Sequence, residues 1–115
     1  MNSGSRLALV AAIALTAPAT FALAAGALRA ATGIGGPAAL VEAGFAAFGV
    51  SNTSPLPVRQ AWYFFAYILT PAVAVALAIS ASATLRPRMR WPFFAVSAAA
   101  ALSAVFWVVY SLADA

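Results

Sequence analysis

The sequence contains no cysteine, no histidine and no lysine, and its only acidic residues are Glu42 and Asp114. Without cysteine, the chain can form neither a disulfide nor a thiolate metal site. Without histidine or lysine, it cannot assemble a Ser-His or Ser-Lys nucleophile, or ligate haem, chlorophyll or zinc through imidazole. Two carboxylates give little basis for a proton relay or a glycosidase pair. We therefore expect a protein that is not an enzyme and that binds no cofactor or metal.

Charge is scarce throughout: 7% of the residues are charged, 65% are hydrophobic, and the mean hydropathy is +1.00. Such a chain has too little polar surface to coat a soluble protein, so lipid must cover the remainder. Each crossing needs about 20 apolar residues, which leaves room for about three or four spans. The abundant alanine, and arginine without lysine, are typical of a GC-rich genome, and we expect a bacterial inner-membrane protein.

Three apolar runs are long enough to cross a bilayer, at residues 7–28, 61–85 and 91–113. The second of them contains no charged residue, which makes it the clearest span. We therefore predict an all-α integral membrane protein in which residues 1–115 form a single membrane domain with three transmembrane helices.

The first run has a second interpretation. Arg6, the apolar stretch after it and the triplet Ala22-Leu23-Ala24 together resemble a secretory signal with its cleavage site. We favour a true first helix, because the run is long enough to span the bilayer.

The connection between the first two spans contains its own helical signals. Gly36 and Pro37 are typical of a helix start, and Gly49 of a helix end. On a helical projection, Glu42 points away from a broad apolar side. That side is formed by Leu40, Val41, Gly44, Phe45 and Phe48. Since about a dozen residues are too few for a crossing, we predict a short interfacial amphipathic helix at residues 37–48.

Half of the basic residues lie close together in the connection between the second and third runs, at Arg86, Arg88 and Arg90. A connection this short makes the second and third helices antiparallel neighbours, and it places the three arginines at their turn. We expect them to anchor the turn by contacting anionic lipid headgroups. The alternative is a docking site for an acidic partner or a specific phospholipid.

With three spans, Arg6 shares one side of the membrane with this cluster, whereas Arg29 and Arg59 share the other. Arginine and lysine are enriched in cytoplasmic loops. The distribution therefore predicts a cytoplasmic N-terminus and an external C-terminus.

Aromatic residues lie near the predicted ends of the spans. Trp62, Tyr63, Trp107 and Tyr110 are expected at the external interface, and Trp91 at the cytoplasmic one. Aromatic belts at both interfaces are common anchors of membrane proteins.

Small residues recur at a spacing of four within the spans, which lets helix backbones approach each other. We take those of the second and third spans as candidate helix-packing residues, although alanine is common enough here for such spacings to arise by chance. They are Ala72, Ala76, Ser80, Ala95, Ala99 and Ser103.

These features favour a small, non-catalytic accessory or structural subunit of a larger bacterial membrane complex, such as a respiratory, photosynthetic or transport assembly. We expect its partners to be that complex and membrane lipids, mainly anionic ones, and we expect no nucleic acid. The main alternative is a small homo-oligomeric transporter or channel, although such proteins usually have ionisable residues within their spans. A subunit that contributes only a pocket wall to a membrane enzyme is the third possibility.

Overall fold

A computed structural model describes residues 2–115, and this part of the chain is helical with no strand. Its helices are α1 (Ser3–Thr32), α2 (Gly36–Ala47), α3 (Leu56–Ser82) and α4 (Trp91–Asp114). By length and composition, α1, α3 and α4 are each able to cross a membrane, and the short α2 lies between the first and second of them. The predicted all-α fold with three spanning helices is confirmed.

Helix α1 is longer than the apolar run that predicted it, because it has defined caps at both ends. Asn2 precedes it, and its Oδ1 accepts a hydrogen bond from the Ser5 amide at 2.8 Å. After Thr32, Gly33 adopts a φ of 76°, the left-handed conformation that glycine favours at a helix end. An apolar run marks only the part of a helix that lipid covers, whereas polar turns can continue the helix beyond it.

Helix α3 also starts before its apolar run. Pro55 and Pro57 flank the first residue of the helix, where a missing amide proton costs no hydrogen bond. The first turns therefore include Arg59 and Gln60, two polar residues that lie outside the predicted span.

A π-helical segment, Phe64–Ile68, interrupts α3. Its wider hydrogen-bonding pattern is visible where the Leu69 amide donates to the Phe64 carbonyl. Pro71 follows shortly afterwards and has no amide proton to donate, so the regular ladder is also broken there. The Thr70 hydroxyl donates instead to the Ala66 carbonyl at 2.8 Å, which satisfies one of the carbonyls near the break.

Two buried clusters show how the long helices run relative to each other. The first joins the early part of α1 to the end of α3 and the start of α4, and consists of Ala12, Ala74, Ala78, Phe93 and Ala100. The second joins the later part of α1 to the start of α3 and the end of α4, and consists of Ala19, Ala22, Tyr63, Tyr67 and Trp107. Helix α3 is therefore antiparallel to both α1 and α4.

This up-down-up arrangement gives the bundle two ends. The arginine end contains the start of α1 and the turn between α3 and α4, where Pro87–Met89 form a single 3₁₀ turn. The loop end contains α2, the connection that follows it, the start of α3 and the end of α4. Polar side chains that bond across helices concentrate at the loop end.

Candidate functional site

The predicted arginine cluster lies at the arginine end, with Arg86 and Arg88 exposed. Arg90 is half-buried, and its Nε donates to the Leu85 carbonyl at 2.9 Å, which ties the side chain to the turn. Arg6, at the start of α1, is exposed at the same end. The role of these residues in contacting lipid or a partner stays a prediction.

The six candidate packing residues fall into two groups. Ala72, Ala76 and Ser80 are exposed on α3, and Ala95 and Ala99 are exposed on α4. Ser103 is buried inside the bundle, where its hydroxyl lies 3.0 Å from that of Thr20 on α1. Packing within the bundle relies mainly on other small residues, among them Ala74 and Ala78.

A polar network that was not predicted from the sequence lies at the loop end. Arg59 Nε donates to Asp114 Oδ2 at 3.1 Å, and Arg59 Nη1 donates to the Ser54 carbonyl at 2.6 Å. The Tyr63 hydroxyl donates to the same Asp114 oxygen at 3.2 Å. One guanidinium thus joins the loop before α3 to the last turn of α4.

A second polar pair lies beside this network. Gln60 Nε2 donates to the Ser111 carbonyl at 2.7 Å, and the Ser111 hydroxyl donates to Gln60 Oε1 at 2.6 Å. The sequence does contain a signal for both pairs, because α3 and α4 form a hairpin. Arg59 and Asp114 lie at nearly equal distances along the chain from Pro87, so the hairpin brings them to the same level.

Aromatic rings form the interior of the loop end. The Trp107 ring stacks with those of Tyr63 and Tyr67, at centroid distances of 5.9 and 4.4 Å. Its Nε1 donates to the Ala19 carbonyl at 3.1 Å. Trp107 is only 7% exposed, so it packs against protein and does not serve as the surface anchor that the sequence suggested. The reason for this difference is that Trp107 lies on the side of α4 that faces α1 and α3, and the sequence does not show which side of the helix is buried.

Helix α2 docks against this aromatic interior through one narrow face. Ala38 is buried, and Val41 and Phe45 pack against the second buried cluster. The Phe45 ring meets the Trp62 ring edge-on, with centroids 5.4 Å apart. Leu40 belongs to the predicted apolar side but is 68% exposed, so that side divides into a protein-facing part and an outward-facing part.

A cavity of about 300 Å³ opens between α2, the loop after it and the ends of α3 and α4. Its walls combine two charged side chains, Glu42 and Arg59, with the rings of Phe45, Trp62, Tyr63 and Tyr110. An apolar groove of about 430 Å³ adjoins it and shares Val50 and Trp62 with its lining.

The charged groups of this lining differ in their hydrogen bonding, because the Arg59 guanidinium donates hydrogen bonds and the Glu42 carboxylate accepts them. The described residues, 2–115, contain no group of three histidine, cysteine or acidic side chains that could hold a metal ion.

No protein-family model, curated protein or solved structure matches this chain. Proposals about its function therefore rest on its own residues and geometry.

Proposed function

We propose that this protein is a small, non-catalytic accessory or structural subunit of a larger membrane complex in the bacterial inner membrane. The observation that supports this proposal is the exposure of the small residues Ala72, Ala76 and Ser80 along α3. At about 100° per residue, this row lies roughly opposite the buried side of the helix, which contains Ala74 and Ala78. The row therefore takes no part in holding the bundle together.

Bulky side chains are exposed beside this row on α3, at Val73 and Ile79, and also on the outward surface of α1. Those on α1 suit contact with acyl chains and include Val10, Ile13 and Phe21. Between helices in a membrane, lipid supplies little hydrophobic drive, and association depends on close packing at small residues. The exposed small residues of α3, and Ala95 and Ala99 on α4, thus support contact with a neighbouring membrane protein.

The proposed orientation follows from the two ends of the bundle. Four of the six arginines lie at the arginine end or its turn, and the other two lie at the loop end. Since basic residues favour the cytoplasmic side, we place the arginine end in the cytoplasm and the loop end outside.

The experiment is purification of the tagged protein in mild detergent, followed by mass spectrometry of the membrane proteins that accompany it. Ala76→Leu and Ala99→Leu each add bulk to the proposed interface, so both should reduce the recovery of the same partner subunits. Ala17→Leu makes the identical change at an exposed position on the bulky surface of α1 and should leave recovery unchanged.

Two results would contradict the proposal. Equal recovery of partners with all three variants would show that these faces are not an interface. A wild-type chain that purifies alone as a discrete homo-oligomer, and that carries solute across liposome membranes, would instead support a transporter or channel.

A further inference from the structure

The cavity at the loop end lies next to the apolar groove. Trp62 and Val50 contribute to both linings. The remaining groove residues are all apolar: Phe48, Pro57, Val58, Ala61 and Phe65. A cavity with charged groups in its lining, next to an apolar surface groove, has the two kinds of surface that an amphiphile requires.

The cavity contains one fixed positive group with hydrogen-bonding capacity to spare. Asp114 and the Ser54 carbonyl hold Arg59 through its Nε and Nη1. Its Nη2 makes no hydrogen bond to any residue in the described range 2–115. A guanidinium held in this way donates well to phosphate oxygens, since its position is set before the ligand arrives.

The cavity lining also contains one negative group, Glu42, together with several aromatic residues. Glu42 pairs with Arg29 through Oε1 alone, at 2.9 Å, and both side chains are more than half exposed. An exposed ion pair of this kind is weak, so the carboxylate can also accept a hydrogen bond from a ligand. A lining that contains a carboxylate together with the aromatic residues Trp62, Tyr63 and Tyr110 suits an ammonium group, because a cation is attracted both by negative charge and by aromatic rings.

One cationic and one anionic side chain in the lining favour a ligand that has one charge of each sign. The volume of about 300 Å³ is at the lower end of the range for small-molecule sites, which suits a compact polar group.

We propose that this cavity binds the ammonium–phosphate headgroup of a zwitterionic phospholipid, with an acyl chain in the adjoining groove. Arg59 contacts the phosphate, Glu42 and the aromatic rings contact the ammonium, and Phe48, Val58 and Phe65 contact the chain. The site lies at one end of the spanning helices, at the level where lipid headgroups are found. This inference does not depend on the proposed accessory role.

The test is a lipid titration of the full chain, with bound lipid counted by native mass spectrometry. The probes are phosphatidylethanolamine and phosphatidylglycerol with identical acyl chains. We expect wild type to prefer phosphatidylethanolamine by about fivefold to tenfold, the size of one favourable ammonium contact.

Two variants distinguish the effect of the cavity charge on lipid preference from the effect of the ion pair beside it. Glu42→Gln and Arg29→Gln both remove the exposed ion pair, but only Glu42→Gln removes a charge from the cavity lining. We expect Glu42→Gln to abolish the preference and Arg29→Gln to keep it. Circular dichroism should show the same helical content for both variants.

Three outcomes would overturn the proposal. These are equal binding of the two lipids by wild type, an unchanged preference in Glu42→Gln, or the same loss of preference in both variants. A further titration uses free O-phosphoethanolamine, which has the headgroup but no chain. If it binds as tightly as the lipid, the site belongs to a soluble zwitterion and the groove plays no part.

Discussion

Arg59 and Asp114 form an ion pair with an N–O distance of 3.1 Å that joins the start of α3 to the end of α4. Their side chains are 21% and 30% exposed, whereas those of the other ion pair, Arg29 and Glu42, are 59% and 63% exposed. Exposed ion pairs contribute little to stability, because water screens them and two flexible side chains must be ordered. The inner pair has additional hydrogen bonds, from the Tyr63 hydroxyl and to the Ser54 carbonyl, that hold its geometry.

Double-mutant cycles should therefore distinguish the two ion pairs. For Arg59→Gln with Asp114→Asn, we expect a coupling energy of about 1 kcal/mol in the free energy of unfolding. For Arg29→Gln with Glu42→Gln, we expect a value near zero. Unfolding in detergent, followed by circular dichroism, measures both. Equal coupling in the two cycles would show that the loop-end network does not stabilise the hairpin.

Trp107 should be the most sensitive aromatic residue at the loop end, because it stacks with two tyrosines and donates a hydrogen bond to the Ala19 carbonyl. Trp107→Phe keeps an aromatic ring but loses the hydrogen bond, which should cost about 1 kcal/mol of unfolding free energy. Trp107→Ala should cost about 3–5 kcal/mol, since it also leaves a cavity. Phe106→Ala is the control, because Phe106 is exposed on the same helix. A cost for the control as large as that of Trp107→Ala would contradict the assigned packing.

Ala78 lies at a close contact between helices and is fully buried. Ala78→Leu should destabilise the bundle by about 1–3 kcal/mol, because the added atoms push the helices apart. Ala72→Leu makes the same change on the exposed row of α3 and should leave the melting temperature of the isolated protein nearly unchanged. Thermal unfolding of both variants measures the change in melting temperature that each substitution causes. If Ala72→Leu lowers the melting temperature more than Ala78→Leu does, the assignment of inner and outer faces is wrong.

The orientation of the protein is open to a direct test by reporter fusions. A reporter placed after Arg90 should behave as cytoplasmic, and one fused to the C-terminus as external, because the arginine end carries more positive charge. Replacing Arg86, Arg88 and Arg90 together by Gln should lower the fraction of correctly oriented chains. The opposite reporter pattern in wild type would reverse the assignment.

The sequence alone determined the fold class, the number of spans and the hairpin between the last two. These depend on hydropathy and on connection length, which are local properties of the chain. The turn at Arg86, for example, follows from the few residues that separate two long apolar runs. The sequence also indicated a short helix after Gly36, because glycine and proline mark its start.

Only the tertiary structure decided which residues of each span face inward. In water, the buried side of a helix is apolar and the exposed side is polar, so a periodic pattern identifies it. In lipid both sides are apolar, and Ala76 therefore looks the same in the sequence as Ala78, although one is exposed and the other buried.

The site at the loop end depends on tertiary structure for a second reason. Arg59 and Asp114 are 55 residues apart in the chain, and they meet only because α3 and α4 pack as antiparallel neighbours in one register. Glu42 reaches the same cavity because Phe45 docks α2 against Trp62. The sequence contained every one of these side chains, but the packing of three separate helices brought them together.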